Sequence, residues 1–268
     1  YSDHHLSHSL TALAYSNSKE DICSVVVDGF GDRSTASISQ VIDPTQINEL
    51  WECLYPVSLG LFYSSITDYL GFAINEGEYK VMGLSSFGNS NSRFAKLVSG
   101  LMDWDSKSNK LISDMSYFDY HLSTSNSYSN KLVDLLGPAR NPFVPLIPGD
   151  KDFQRCADIA RGAQDLTVNL LCKIFTHAYQ LTSSRRFMFS GGVSMNSAAI
   201  DSIAQLPFVD EIIIPPSPGD AGCAIGAAFY CYIKSNFYKN LNITKPSLFP
   251  SMTETTDNEF LTKKIISQ

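Results

Sequence analysis

The chain has 268 residues, 44% of them hydrophobic, and a formal net charge of -7. That is enough apolar material for one large domain or two modest ones, and the acidic balance, with no Lys/Arg run, disfavours nucleic acid, whose phosphates are held by basic patches. No apolar stretch reaches the roughly 18 residues of a membrane span, no signal peptide opens the chain, and the six cysteines (Cys23, Cys53, Cys156, Cys172, Cys223, Cys231) form no CxxC pair, as expected of buried thiols in a reducing, cytoplasmic compartment.

In chain order, His4 to Tyr15 reads as a helix, capped by Asp3 and striped with Leu6, Leu10, Leu13 and Ala14. Ile22 to Val27 is a β-branched run and so a buried strand, followed by a turn at Asp28, Gly29 and Gly31. Ser34 to Ile42 alternates polar and apolar residues, which suits a hairpin partner, and Leu50 to Tyr55 supplies a third strand. Leu59 to Leu70 predicts a helix stopped by Gly71, and residues 75–83 a loop rolling into a short helix. From about Gly88 to Asp150 the periodicity weakens, and an insertion or lid with short helices is expected over 89–150.

Lys151 to Leu181 is a long amphipathic helix; Arg186 to Phe189 is a strand ending at Gly191-Gly192. A helix over Ser194 to Leu206, a strand over Glu211 to Ile214 and a helix over Gly222 to Ile233 complete the pattern. Residues 236–268 read as a polar linker towards a further lobe. Three hairpin-connected strands, then alternating helices and strands, is the order of an RNase H-like α/β lobe of the actin and sugar-kinase ATPase type, here spanning 21–235, with a mixed sheet flanked by helices. Residues 1–20 are expected to close a first lobe that precedes the chain, because metal ligands at a fraying terminus are unusual.

Five motifs carry chemistry. DHHLSHS places His4 and His8 four apart on one helical face, a spacing that lets two imidazoles share one ion and that, alone, also suits a surface or capping pair. Asp28 and Asp220 each end a β-rich segment, where α/β sheets put ligands. Two imidazoles with two carboxylates suit a first-row ion such as iron or zinc. His5 faces elsewhere, as a group behind the site or facing substrate. The glycines of Asp28-Gly29-Phe30-Gly31 either make a tight turn or let backbone N–H groups approach phosphate. Gly191-Gly192 either permits a positive φ or clears space for adenine or ribose, with Asn196 one turn on. Gly219 precedes a helix start, which favours anions. In EGEYKVMG, Glu76 and Lys80 form either an exposed turn or a clamp in which Glu76 orients Lys80 towards an anion.

These stretches resemble the ATP-dependent O-carbamoyltransferases of the nodulation-factor, cephamycin and tobramycin type. The resemblance rests on DHHLSHS, VVVDGFGDRSTASI, YPVSLGLFYSSITDYLGFAINEGEYKVMGL, DIARGAQDL, FSGGVSMNSAAI and IIIPPSPGDAGCAIGAAF, in that order from about Asp3 to Phe229. It implies carbamoyl phosphate activated by ATP to carbamoyl adenylate, then carbamoyl transfer to a hydroxyl of a small-molecule or sugar acceptor. It implies an ion, iron first, on His4, His8, Asp28 and Asp220, and a nucleotide pocket at Gly191, Gly192, Asn196 and Gly219. An N-terminal lobe and a C-terminal adenylate-forming lobe are then partners of this chain, which is expected to be inactive alone. Departures, such as SGGVSMN where AGGVALN is usual, keep the glycines. A general base is not identifiable from sequence; His5 is the candidate. Two rival functions remain: a tRNA threonylcarbamoyl-transfer protein, disfavoured by the acidic balance, and a non-catalytic nucleotide-binding module, disfavoured by the intact ligand set.

Overall fold

A computed structural model describes residues 2–16 and 22–235. The expected linker over 236–268 and the segment 17–21 lie outside the described residues.

A central five-stranded mixed sheet has the order β3-β2-β1-β6-β7. Its strands are β1 (Ile22–Gly31), β2 (Ser34–Asp43), β3 (Gln46–Leu54), β6 (Arg186–Ser190) and β7 (Glu211–Ile213). β1, β2 and β3 pair antiparallel, while β6 pairs parallel with β1, and β7 with β6. Successive side chains of a strand point to opposite faces, and this parity assigns the sheet's two surfaces. Cys23, Val25 and Val27, Ala36 and Ile38, and Phe187 and Phe189 join one large apolar core. Their neighbours Ile22, Val41 and Met188 belong to a second, much smaller core. Ser24, Asp28 and Ser37 share the parity of that second surface.

Two helices, α2 (Leu59–Tyr69) and α6 (Lys151–Thr182), contribute Phe62, Ile66, Leu170, Ile174 and Phe175 to the large core. The other surface carries α1 (His4–Tyr15) and α8 (Cys223–Lys234). Of these, α1 supplies Leu10 and Leu13, and α8 adds Phe229 and Ile233. The two helices cross very closely. A Cβ on Gly226 would lie 1.9 Å from the Ser7 carbonyl oxygen, and Thr11 Oγ1 donates to Gly222 O at 2.8 Å.

Several expectations are corrected. β1 runs on through Gly31, so Asp28 to Gly31 is extended strand rather than a turn. The reversal falls at Asp32, whose φ is +56°, and a bulge between Val27 and Gly31 absorbs the irregularity. β3 begins at Gln46 because a tight turn closes where Asp43 Oδ1 accepts from Thr45 N at 2.7 Å. A short 3-10 turn over Gly192–Met195 precedes α7 (Ser197–Ala204). Asn196 is therefore the N-cap of α7, accepting from Ala199 N at 3.1 Å, not a residue one turn inside it.

The segment 89–150 holds the expected short helices, α4 (Arg93–Ser99) and α5 (Asn130–Leu136), and also a hairpin of β4 (Met102–Asp105) and β5 (Lys110–Ser113). Met102 and Trp104 alternate inward with Leu111, and with Val98, Phe118 and Leu136 they enter the large core. This region is thus part of the domain's wall. The loop at residues 75–77 leads into α3 (Glu78–Ser85). Among the described residues, no helix is long and apolar enough to cross a membrane.

Candidate metal centre

Asp3 Oδ1 accepts from Leu6 N at 3.0 Å and so fixes the start of α1. One turn apart on that helix, His4 and His8 turn towards Asp28 on β1. His4 Nε2 and His8 Nε2 lie 3.1 and 3.3 Å from Asp28 Oδ2, and 3.1 Å from each other. Asp220 Oδ1, in the 3-10 turn that leads into α8, lies 3.5 Å from both imidazole nitrogens. These four ligand atoms all fall within 4.8 Å of one another.

Glycines make this approach possible. A Cβ on Gly31 would lie 1.9 Å from His4 Cδ2, so any other residue at 31 would displace the imidazole. Gly191, with φ +89°, crosses so close to β1 that a Cβ would lie 2.3 Å from Val27 O. That crossing aims the next amide, Gly192 N, at Asp28 Oδ1 at 2.9 Å. One carboxylate oxygen of Asp28 is thereby held by backbone while the other faces the imidazoles.

The electrostatics are those of a site built for a cation. Burial acts to raise the Asp28 pKa, but the hydrogen bonds from His4, His8 and Gly192 N outweigh it and hold the carboxyl well below the usual range. Its hydrogen bond to Asp28 raises His4, against desolvation, with Asp220 assisting. Burial, then the charge of Asp28, raises Asp220. Two carboxylates are thus crowded against two nitrogen lone pairs, which cannot face each other at 3.1 Å without a proton or a cation between them. The spacings fit a metal: with ligand bonds of roughly 2.1 Å, neighbouring donors lie about 3.0 Å apart in an octahedron and about 3.4 Å apart in a tetrahedron. The donor set of two imidazoles and two carboxylates suits a divalent first-row ion.

The other expected site residues fall into three groups. His5 is buried, with Nδ1 2.8 Å from Ser37 Oγ and Nε2 without a partner. Desolvation, then the neighbouring imidazoles, lowers its pKa to about 4. His5 packs α1 onto β2.

Glu76 and Lys80 are exposed, and Lys80 Nζ lies over the Phe72 and Tyr79 rings at 5.8 and 5.7 Å. The loop is organised by Glu78, which the sequence reading passed over: its Oε1 accepts from Ser64 Oγ at 2.8 Å and from Asn75 N at 3.0 Å.

Of the expected nucleotide residues, Gly29 and Gly219 have room for a Cβ at ordinary contact distance, 3.6 and 3.7 Å from their nearest neighbours. Asn196 exchanges two hydrogen bonds with Gln164, at 2.9 and 3.0 Å. Beside that pair opens a cleft of about 840 Å³ lined by Met82, Gly83, Arg161, Gln164, Ser197 and Ser202, among others. The sequence reading also missed Cys223, whose thiol groups with His4 and His8. Its position three residues after Asp220 was the available signal.

Residues 1–229 match the family described as Carbamoyltransferase N-terminus. The chain is 33% identical over 231 residues to the uncharacterized protein sll1178 of Synechocystis, covering 85% of this chain and 35% of that protein. It is 28% identical over 227 residues to nodulation protein NolO of Bradyrhizobium diazoefficiens (84% and 37% covered). To nodulation protein NolNO of Sinorhizobium fredii it is 26% identical over 226 residues (84% and 30%). The chain therefore spans about a third of the length of these curated relatives. A solved structure of full-length HypF in the phosphate- and nucleotide-bound form aligns with a TM-score of 0.44 at 16% identity, covering 86% of this chain and 42% of that one. With the family match running from residue 1, just ahead of the histidine helix, to the middle of α8, the chain belongs to the carbamoyltransferase family, as part of its N-terminal region.

Proposed function

We propose that this chain is the metal-bearing, carbamoyl-transferring part of an ATP-dependent O-carbamoyltransferase, which passes a carbamoyl group from carbamoyl adenylate to a hydroxyl of a small-molecule or sugar acceptor. The observation that carries the reading is the convergence of His4, His8, Asp28 and Asp220 within 4.8 Å. The strand order, with one antiparallel hairpin edge and a parallel extension, supports an RNase H-like lobe of the ATPase type. A divalent ion held by these four residues, iron first among the candidates, would supply Lewis-acid chemistry, polarising the carbamoyl carbonyl or acidifying the acceptor hydroxyl.

The chain's own residues do the rest. Asp28, fixed by Gly192 N, sets the orientation of both imidazoles and stays ionised. The cleft between α3, α6 and α7, beside the Gln164–Asn196 pair, has the size and polar groups for the adenosine of the adenylate. Gly29 and Gly219 carry no side chain that would crowd a phosphate placed beside them. Exposed Lys80 on α3 adds positive charge for an anionic ligand, with Glu76 in the loop just before that helix. Carbamoyl phosphate is the co-substrate of the adenylate-forming lobe, a separate part of the protein.

Metal content tests the reading. The chain as purified should hold about one equivalent of a transition metal, and His4→Ala/His8→Ala should lose it. Full occupancy in that double variant overturns the assignment. The rival of a non-catalytic nucleotide-binding module would be favoured by tight nucleotide binding in a chain that takes up no metal.

A further inference from the structure

His4 and His8 belong to two possible ligand sets, not one. The first adds Asp28 and Asp220; the second adds Cys223, whose Sγ lies within 4.8 Å of both imidazole nitrogens. Cys223 is the first residue of α8, immediately after the 3-10 turn that carries Asp220. Among the described cysteines it alone groups with histidines in this way. Cys23, Cys53 and Cys156 are buried among apolar side chains of the large core.

The two sets differ in chemical hardness. Carboxylates suit hard and borderline ions, whereas thiolate selects zinc and copper(I). Within the first set the two carboxylates differ in how firmly they are held. Asp28 is anchored by a backbone amide, while the Asp220 side chain is 74% exposed. In a tetrahedral zinc site with Zn–S near 2.3 Å and Zn–N near 2.1 Å, neighbouring S and N donors sit about 3.6 Å apart. The Cys223 thiol therefore has to close by about 1 Å at most to meet that spacing, within reach of a side-chain rotation at a helix start.

We infer that Cys223 is an alternative ligand to the carboxylates, so that the centre accepts zinc through His4, His8 and Cys223 as well as a harder ion through His4, His8, Asp28 and Asp220. The inference rests on the proposed metal reading of the same site and goes beyond it in naming a second ligand set and the class of ion it selects. On coordination the thiol gives its proton to solvent and binds as thiolate. One thiolate then stands in for two carboxylates, the ligand charge around the ion becomes less negative by one, and solvent fills the fourth position.

The experiment titrates the metal-stripped 268-residue chain with cobalt(II), the spectroscopic stand-in for zinc, in wild type, Cys223→Ser, Cys223→Ala and Cys231→Ser. Wild type and Cys231→Ser should show visible ligand-field bands together with a near-ultraviolet sulfur-to-cobalt charge-transfer band. Both Cys223 variants should keep the ligand-field bands and lose the charge-transfer band. In competition, their zinc affinity should fall by about tenfold or more, while manganese(II) affinity stays as in wild type. Ligand-field bands in wild type without the charge-transfer band, or zinc affinity unchanged in both Cys223 variants, overturn the role of Cys223 and leave the His–Asp centre standing. Failure of wild type to bind cobalt, zinc or manganese overturns both.

Discussion

The two surfaces of the central sheet are built on different principles. On the α2–α6 surface, a large core of fully buried Phe, Ile and Leu side chains extends into the 89–150 region, and apolar burial is the organising force. On the α1–α8 surface, six buried apolar residues form the core, and the space around them is filled by buried His5, Ser7, His8, Ser9, Thr11, Ser24 and Ser37. There, position is set by directional contacts: Ser24 Oγ to Ser9 Oγ at 2.9 Å, His5 to Ser37 at 2.8 Å, and the Gly226–Ser7 crossing. The proposed metal ligands all lie on this second surface. A thick apolar wall supplies stability, and the thin polar side holds chemistry to tolerances that glycines and hydroxyls set.

This contrast predicts that stability and metal binding can be separated. The largest effect on stability belongs to Phe175→Ala on α6. Its ring is fully buried, tilted against Phe187 and edge-on to Phe189 at centroid distances of 5.3 and 5.2 Å. Truncation should cost about 3–5 kcal/mol in chemical denaturation, while the folded fraction keeps wild-type metal content. Loss of metal in step with stability would mean that the two surfaces act as one unit.

Next comes acid sensitivity on the thin side. The His5 pKa is about 4 in the folded chain against an ordinary 6.5. The unfolded chain therefore binds a proton near pH 6.5 that the folded chain refuses until about pH 4. Stability from this group is full above pH 6.5 and falls as the pH drops towards 4, by about 3 kcal/mol. In the metal-free protein, His5→Gln, which can still hydrogen-bond Ser37, should flatten that part of the stability–pH curve. Equal slopes for the variant and wild type would remove His5 as the cause.

The smallest stability effect carries the sharpest functional one. Gly226→Ala forces a Cβ towards the Ser7 carbonyl, which must shift α8 against α1. An overpacking cost of about 1–3 kcal/mol is expected, together with a metal affinity lowered by about tenfold or more, because α1 carries His4 and His8 and the turn before α8 carries Asp220. Gly83→Ala is the control: it lies mid-helix with nothing within 4 Å of its Cβ, and should stabilise by up to about 1 kcal/mol without changing metal affinity. Unchanged metal binding in Gly226→Ala would show that the α1–α8 crossing does not set the site.

Much of this was legible in the sequence because it depends on local periodicity. The four-residue spacing of His4 and His8 fixes them on one helical face whatever the rest of the chain does. The alternation of β1 and β2 sorts Asp28 and Ser37 from Val27 and Ile38 by parity alone. Chain order and the apolar runs determined the mixed α/β class and the long α6. What only the tertiary structure decided are relations between residues far apart in sequence. Gly192 N meets Asp28 across 164 positions, so Gly192 fixes the carboxylate proposed as a metal ligand, which no reading of its own neighbourhood as a turn or nucleotide cradle could reveal. Gly31 is required because His4 stands against it, and Cys223 is a metal candidate only because α8 crosses α1 at Gly226. The extension of β1 through Gly31 likewise belongs to pairing, since a glycine-rich DGFG segment prefers a turn until Ser34 offers Gly31 a partner. Local propensity follows the chain; steric exclusion and ligand convergence arise only where separate elements are pressed together.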